Sequence, residues 1–176
     1  MPTEAVQTYY HGLIVEPDCA RCPLRWDTKV YPDGYLPAKL IFVGENPGRN
    51  EQHVGRGFVG RSGELLWRYC ELYGFSRDDV WITNAALCRK RDVKLRTGAT
   101  LNQEQVKMIS ARCCRRRLIG ELLAITRNNP QAVIVPLGNV ALQMLYGRKN
   151  ARVYQYRGSV IPLDLEALWV EVNLSS

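Results

Sequence analysis

Lys39 to Gly60 reads KLIFVGENPGRNEQHVGRGFVG, and this stretch decides the fold class. Its first six residues, KLIFVG, are a short β-branched and aromatic run ending in glycine, the form of a buried strand that feeds a loop. The loop then carries Gly44, Gly48, Gly55, Gly57 and Gly60, five glycines in seventeen residues. That density means backbone brought close to a ligand, or positive φ angles. The G-x-G-x-x-G order of a Rossmann turn is absent, and no Gly-Lys-Ser/Thr follows as in a P-loop. Nucleotide-phosphate binding of those kinds is disfavoured. Glu45, at the strand's carboxyl end, has the position of a catalytic or ligand-binding carboxylate. Phe58 lies in a glycine-rich loop rather than on a periodic face, which suits a ring that packs on something flat.

Outward from this stretch the chain alternates. Ser62 to Tyr73 reads as a helix, with Ser62 able to cap it, Leu65, Leu66, Tyr69, Cys70, Leu72 and Tyr73 on one apolar stripe, and Gly74 after it. Val80 to Ala85 is a second strand. The polar, basic stretch Arg89 to Thr100 reads as a long loop. Asn102 with Gln105 resembles a capping box for a helix to about Ile125. Ala132 to Leu137 is a third strand, Val140 to Tyr146 a helix closed by Gly147, and Val160 to Leu163 and Leu168 to Leu174 read as two last strands. Strand and helix in alternation predict an α/β domain with a mainly parallel sheet covered on both faces, whose ligands bind beyond the carboxyl ends of the strands. Pro17, Pro23, Pro32 and Pro37 make the segment from 17 to 37 irregular, draped over that sheet.

Composition bounds the rest. With 176 residues, 46% hydrophobic and 23% charged, the chain is one ordinary globular domain. Its apolar runs are far too short to cross a bilayer. The start, Met1 to Tyr10, lacks the basic and apolar regions of a signal peptide, so a cytoplasmic, reducing compartment is expected and the cysteines should be thiols or ligands. The net charge of +7 is compatible with a polyanionic partner. Basic residues crowd at Arg89, Lys90, Arg91, Lys94 and Arg96, and again at Arg112, Arg115, Arg116 and Arg117; the plain reading is two solvated faces. Of the six cysteines, Cys70 reads as core. Cys19 and Cys22 form a C-x-x-C pair, Cys88 sits past a strand, and Cys113 and Cys114 are adjacent in a helix. Four gathered thiolates suit zinc or an iron-sulfur cluster, and spacing leaves both open.

GENPG (44 to 48), Glu51, Gly55, FVGRSGELL (58 to 66), Ile82 to Asn84, Cys88, Cys114, Leu137-Gly138 and the early CARC together resemble the iron-sulfur uracil-DNA glycosylases called family 4, over about residues 19 to 160. The resemblance implies a three-layer α/β/α sandwich, a [4Fe-4S] cluster, with zinc as the alternative, and hydrolysis of the bond between uracil and deoxyribose in base-excision repair. By the same resemblance Glu45 positions or activates water, Phe58 stacks on the flipped base, Asn84 reads its Watson-Crick edge, and Gly44 and Asn46 complete the uracil site. Cys19, Cys22, Cys88 and Cys114 become cluster ligands, with Cys113 as the substitute for Cys114. Arg89, Lys90 and Arg91 become contacts to DNA phosphates. The family's His-Pro-Ser-like turn should fall near residues 173 to 180. Here Val172-Asn173-Leu174-Ser175-Ser176 occupies that region, and the histidines are His11 and His53. Either the chain is a piece of a longer protein, or Asn173-Leu174-Ser175 stands in for the turn. A DNA-binding or replication-associated module of the same fold is the alternative to the enzyme.

Overall fold

The computed structural model describes residues 15–174. Along the chain these form β1 (Asp33–Gly34), β2 (Leu40–Gly44), α1 (Arg49–Val54), α2 (Arg61–Leu72), β3 (Val80–Asn84), β4 (Val93–Lys94), β5 (Thr100–Leu101), α3 (Gln103–Asn128), β6 (Val133–Pro136), α4 (Asn139–Tyr146), α5 (Val153–Tyr156) and α6 (Leu165–Leu174). The central sheet has the order β1-β3-β2-β6. β2 runs parallel to both β3 and β6, and β1 is antiparallel to β3.

Alternation along the central strands sorts side chains between two layers. Ile41, Val43 and Trp81 face a core filled by Ala111, Leu118 and Leu122 of α3, Val140 and Met144 of α4, and Leu165 and Val172 of α6. Phe42, Val80 and Ile82 face the other side, where Cys70, Leu66 and Trp67 of α2 cover them. Strands buried on both faces read as continuous apolar runs, which is why LIFV and VWIT are legible. The three-layer α/β/α sandwich with a mainly parallel sheet is therefore the architecture of this chain. The register matters most for function. Leu40 opposes Val80 and Gly44 opposes Asn84, so both strands deliver their carboxyl ends to one place.

Several local expectations are corrected. Leu168 to Leu174 belongs to α6 and Val160 to Leu163 is irregular, so neither is a strand. An apolar run after a proline reads as extended, but burial of Leu165 and Val172 against α3 favours the helix. α2 starts at Arg61 behind Gly60, without a side-chain cap from Ser62. Its apolar stripe is only partly core: Cys70 is buried, whereas Leu65, Tyr69, Leu72 and Tyr73 are exposed. The basic loop holds a small hairpin, β4 with β5. The capping box of Asn102 and Gln105 is present, with both bonds at 3.0 Å, and Gly147 closes α4 in the left-handed region.

Candidate active site and cysteine cavity

At the carboxyl ends of β2 and β3, a cavity of about 680 Å³ is lined by residues that include Gly44, Glu45, Asn46, Phe58, Asn84, Lys107 and Gly138. Gly44 is the pivot. A Cβ there would stand 2.9 Å from Phe58 Cζ and nearer still to Asn84 Oδ1. Only a bare α-carbon lets the aromatic ring and the amide reach the same space.

Each of the three side chains is held from behind. Phe58 adopts φ 52°, a conformation costly for a bulky residue. Trp67 Nε1 donates to its carbonyl at 2.9 Å, and Arg77 covers the Trp67 ring at 4.4 Å. Asn84 is buried, and its main-chain carbonyl accepts from Arg117 Nη2 at 2.5 Å. Arg117 is wholly buried and pairs with Glu121, which also accepts from Trp81 Nε1 at 2.7 Å and Thr83 Oγ1 at 3.1 Å. Burial pushes the Glu121 carboxyl up, and Arg117 opposes that shift. Glu45 Oε1 accepts from the Val140 N–H at 2.9 Å, at the start of α4. Its other oxygen lies 3.3 Å from Lys107 Nζ. Gly138, at φ +116°, makes room: a Cβ there would meet Glu45 Oε1 at 2.6 Å. Burial draws the Lys107 ammonium down, but Glu104 and Glu45 outweigh it and hold its pKa above the ordinary lysine value.

Cys19, Cys22, Cys88, Cys113 and Cys114 border a second, smaller cavity. The segment 15–37 closes it: Val30 N–H donates to Leu87 carbonyl at 2.8 Å, Lys29 bridges to Cys88, and Asp18 N–H donates to the Cys113 carbonyl at 3.0 Å. Burial, followed by the neighbouring Cys114, pushes the Cys88 thiol up to about 12. A hydrogen bond from Cys113 outweighs burial at Cys22 and lowers it to about 7. Thiols crowded in a dry pocket disfavour one another's ionised forms, and a bound cationic centre would reverse that. An all-sulfur donor set fits a sulfur-ligated metal group. Among the described residues, no three His, Cys, Asp or Glu side chains are set round a single ion. Asn46 of the first cavity is tied to Cys88 of the second: its Nδ2 donates to the Cys88 carbonyl at 2.9 Å, while its buried Oδ1 has no partner among the described residues. Cys70 lies apart in the core, as expected.

The basic clusters divide. Arg91 holds Asp27 through two bonds of 2.8 Å, and Lys90 lies 3.3 Å from Glu104, while Arg89 is half-buried. In α3, Arg115 binds Glu171 and the Met144 carbonyl, Arg116 binds Asn173, and Arg117 is the buried ion just described. Of that cluster only Arg117 is interior; Arg115 is half-buried where it ties α3 to α4 and α6, while Arg112 and Arg116 stay exposed. Asn173 is occupied on α6, donating to the Trp169 carbonyl at 2.7 Å, and does not line the cavity at the ends of β2 and β3. Nor does His53 of α1; His11 and Ser175 lie outside the described residues. Sequence reasoning does not single out Lys107, Trp67 or the Arg117–Glu121 pair as site residues, nor Gly138 as the residue that makes room for Glu45. Only Gly138 carries a signal, as the glycine closing the third strand.

The sequence model of the uracil DNA glycosylase superfamily matches residues 32–169. The chain belongs to the uracil-DNA glycosylase superfamily. Its relatives include proteins described as type-4 uracil-DNA glycosylases. That of Thermotoga maritima is 34% identical over 148 residues, covering 83% of this chain and 69% of the relative. That of Pyrobaculum aerophilum is 31% identical over 163 residues, 90% of this chain and 76% of the relative. For Archaeoglobus fulgidus the identity is 36% over 130 residues, 73% of this chain and 58% of the relative. The superfamily match runs from just before β1 into α6, and so takes in every residue lining the cavity at the ends of β2 and β3. Cys19 and Cys22 lie ahead of it.

Proposed function

We propose that the chain is a uracil-DNA glycosylase of base-excision repair, which extrudes uracil from DNA and hydrolyses its N-glycosidic bond. The convergence of Glu45, Phe58 and Asn84 on one cavity, made possible by Gly44 opposite Asn84, carries this reading. Extrusion costs a few kcal/mol of stacking, roughly, which the Phe58 ring and edge hydrogen bonds offset. The Asn84 amide can donate to a uracil carbonyl and accept from its N3–H, a pattern cytosine does not match. As the bond breaks, positive charge grows on the sugar and negative charge on the base. Glu45, oriented by the Val140 N–H, stabilises the first and positions water. Lys107 is the cation among the cavity-lining residues and is suited to the second, so the leaving uracil is served without Asn173.

Cys19, Cys22, Cys88 and Cys114 would hold a [4Fe-4S] cluster, with Cys113 bordering the same cavity as the substitute and zinc as the alternative metal. Through these cysteines the amino-terminal segment, the loop after β3 and α3 would be tied together at one group. Arg89, Lys90 and Arg91 would lie along the DNA, Arg91 and Lys90 exchanging their carboxylate partners for phosphates. Among the described residues no helix is long and apolar enough to cross a membrane, and a repair enzyme whose cysteines serve as metal ligands rather than in disulfides suits the reducing cytoplasm. The binding-module reading, with its replication partner, has less support because the carboxylate, the aromatic platform and the amide all line one cavity.

The test is single-turnover base release from a labelled uracil-containing oligonucleotide with protein in excess. Release by the natural chain, abolished by Glu45→Ala and by Asn84→Ala, is the expected result. Salt-sensitive binding without release would return the chain to the module reading.

A further inference from the structure

The helix stripe that reads as core in the sequence is open in the fold, beside the cavity that Glu45, Phe58 and Asn84 line. Leu65, Tyr69, Leu72 and Tyr73 are 56%, 54%, 71% and 73% exposed. Their spacing of three and four places them along one face of α2. Leu65 and Tyr69 form part of the cavity rim, and Leu72 and Tyr73 carry the stripe away from it. The other face of α2 is used up: Cys70, Leu66 and Trp67 pack on Phe42 and Ile82. Counting about 100° per residue, the exposed Arg61 and Arg68 flank the stripe on one side, with Glu64 and Glu71 further round.

We infer that this face of α2 is a stacking track for the nucleotides next to the extruded one in a single DNA strand. The inference rests on the glycosylase reading of the cavity. A flipped nucleotide stays covalently joined to its neighbours, so the strand must leave the cavity over its rim. There it meets an aromatic and aliphatic surface with cations alongside, the combination that holds single strands by base stacking and phosphate attraction. Continuity with the cavity and the sign of the flanking charge select a nucleic acid over an apolar protein partner.

The decisive measurement compares two fluorescent probes by anisotropy: a single deoxyuridine nucleotide carrying 5′- and 3′-phosphates, and a longer single strand with one deoxyuridine, each with a 2′-fluorine that blocks hydrolysis. The natural chain should bind the longer strand more tightly, and Leu65→Ser/Tyr69→Ser should erase that advantage by about five- to 150-fold for each lost stacking contact. Tyr69→Phe should retain it. The ratio of the two affinities is the readout, because damage to the cavity itself weakens both probes alike. The stripe is solvent-facing, so melting temperatures should stay level, and Leu72→Ser/Tyr73→Ser provides a second variant away from the cavity. An unchanged ratio in both double variants overturns the track. Equal affinity of the natural chain for both probes overturns it too, while the cavity reading stands. Binding of neither probe removes both readings. A dimer that the double variants dissociate would reassign the stripe to a second copy.

Discussion

Gly44 shows how one absent side chain sets a site. Gly44→Ala would push a methyl group into Phe58 Cζ and the Asn84 amide. The backbones behind both are pinned, Phe58 at its carbonyl by Trp67 and Asn84 at its carbonyl by Arg117, so it is the ring and the amide themselves that must swing aside. Displacing either group by a fraction of an ångström is expected to lower kcat/KM on the order of a hundredfold. Steady-state base release checks this, and a fall of less than about threefold would count against the steric account. Lys107 makes a different claim. Lys107→Met removes the cation beside Glu45, and kcat should drop by about 10²- to 10³-fold, the usual loss for one charge-stabilising group. Single-turnover rates would show it, and a change confined to KM would mean that Lys107 only binds.

The element that carries Asn84 is braced by a buried ion pair within α3, both of whose members also bond to β3. Arg117→Met leaves Glu121 buried without its cation, and stability should fall by about 3–5 kcal/mol in urea denaturation. Arg117→Met combined with Glu121→Leu should recover most of that loss, because the desolvated carboxylate goes too. A double variant as unstable as the single one would mean that the bonds to Thr83 and Asn84 matter more than the charge. At the opposite end of β3, Asp79 holds the turn before the strand. Hydrogen bonds from Lys39 and then from Ser76 lower its pKa from 3.8 to about 2. A carboxylate depressed on folding contributes stability that is present above its unfolded pKa and lost as pH falls through the folded one. Asp79→Asn should therefore be less stable than the natural chain near neutrality, with the gap closing between about pH 4 and 2. Melting temperatures across that range give the answer.

For the molecule as a whole, the net charge of +7 predicts DNA affinity that falls with salt. Arg89→Ala should reduce the slope of log affinity against log salt by roughly one unit if its guanidinium meets a phosphate. An unchanged slope assigns Arg89 to the fold. Arg91→Ala has two effects to separate, since Arg91 also clamps Asp27 over the cysteine cavity. Metal content is the check there: iron and acid-labile sulfide in the natural chain, lost in Cys22→Ser and Cys88→Ser, support the cluster, whereas zinc would support the alternative.

Much of the fold and of the candidate site is legible in consecutive residues. Apolar runs buried on both faces announce the central strands, glycine density announces a loop at their carboxyl ends, and the motifs around Glu45, Phe58 and Asn84 single out side chains that line one cavity. The failures have one physical origin. Whether a periodic stripe is core, as with Leu65 to Tyr73, depends on what packs against it. Arg117 reads as a surface charge until Glu121, four residues on, and the strand beside it supply partners. Lys107 carries no local mark, and its place beside Glu45 comes from how α3 crosses the sheet. Leu168 to Leu174 becomes a helix because α3 offers it a face to bury. By itself the sequence determined the residue types and the backbone freedom of the site. Tertiary structure decided which charges pair, which apolar faces stay open, and which distant residues meet, since these depend on contacts between segments far apart in the chain.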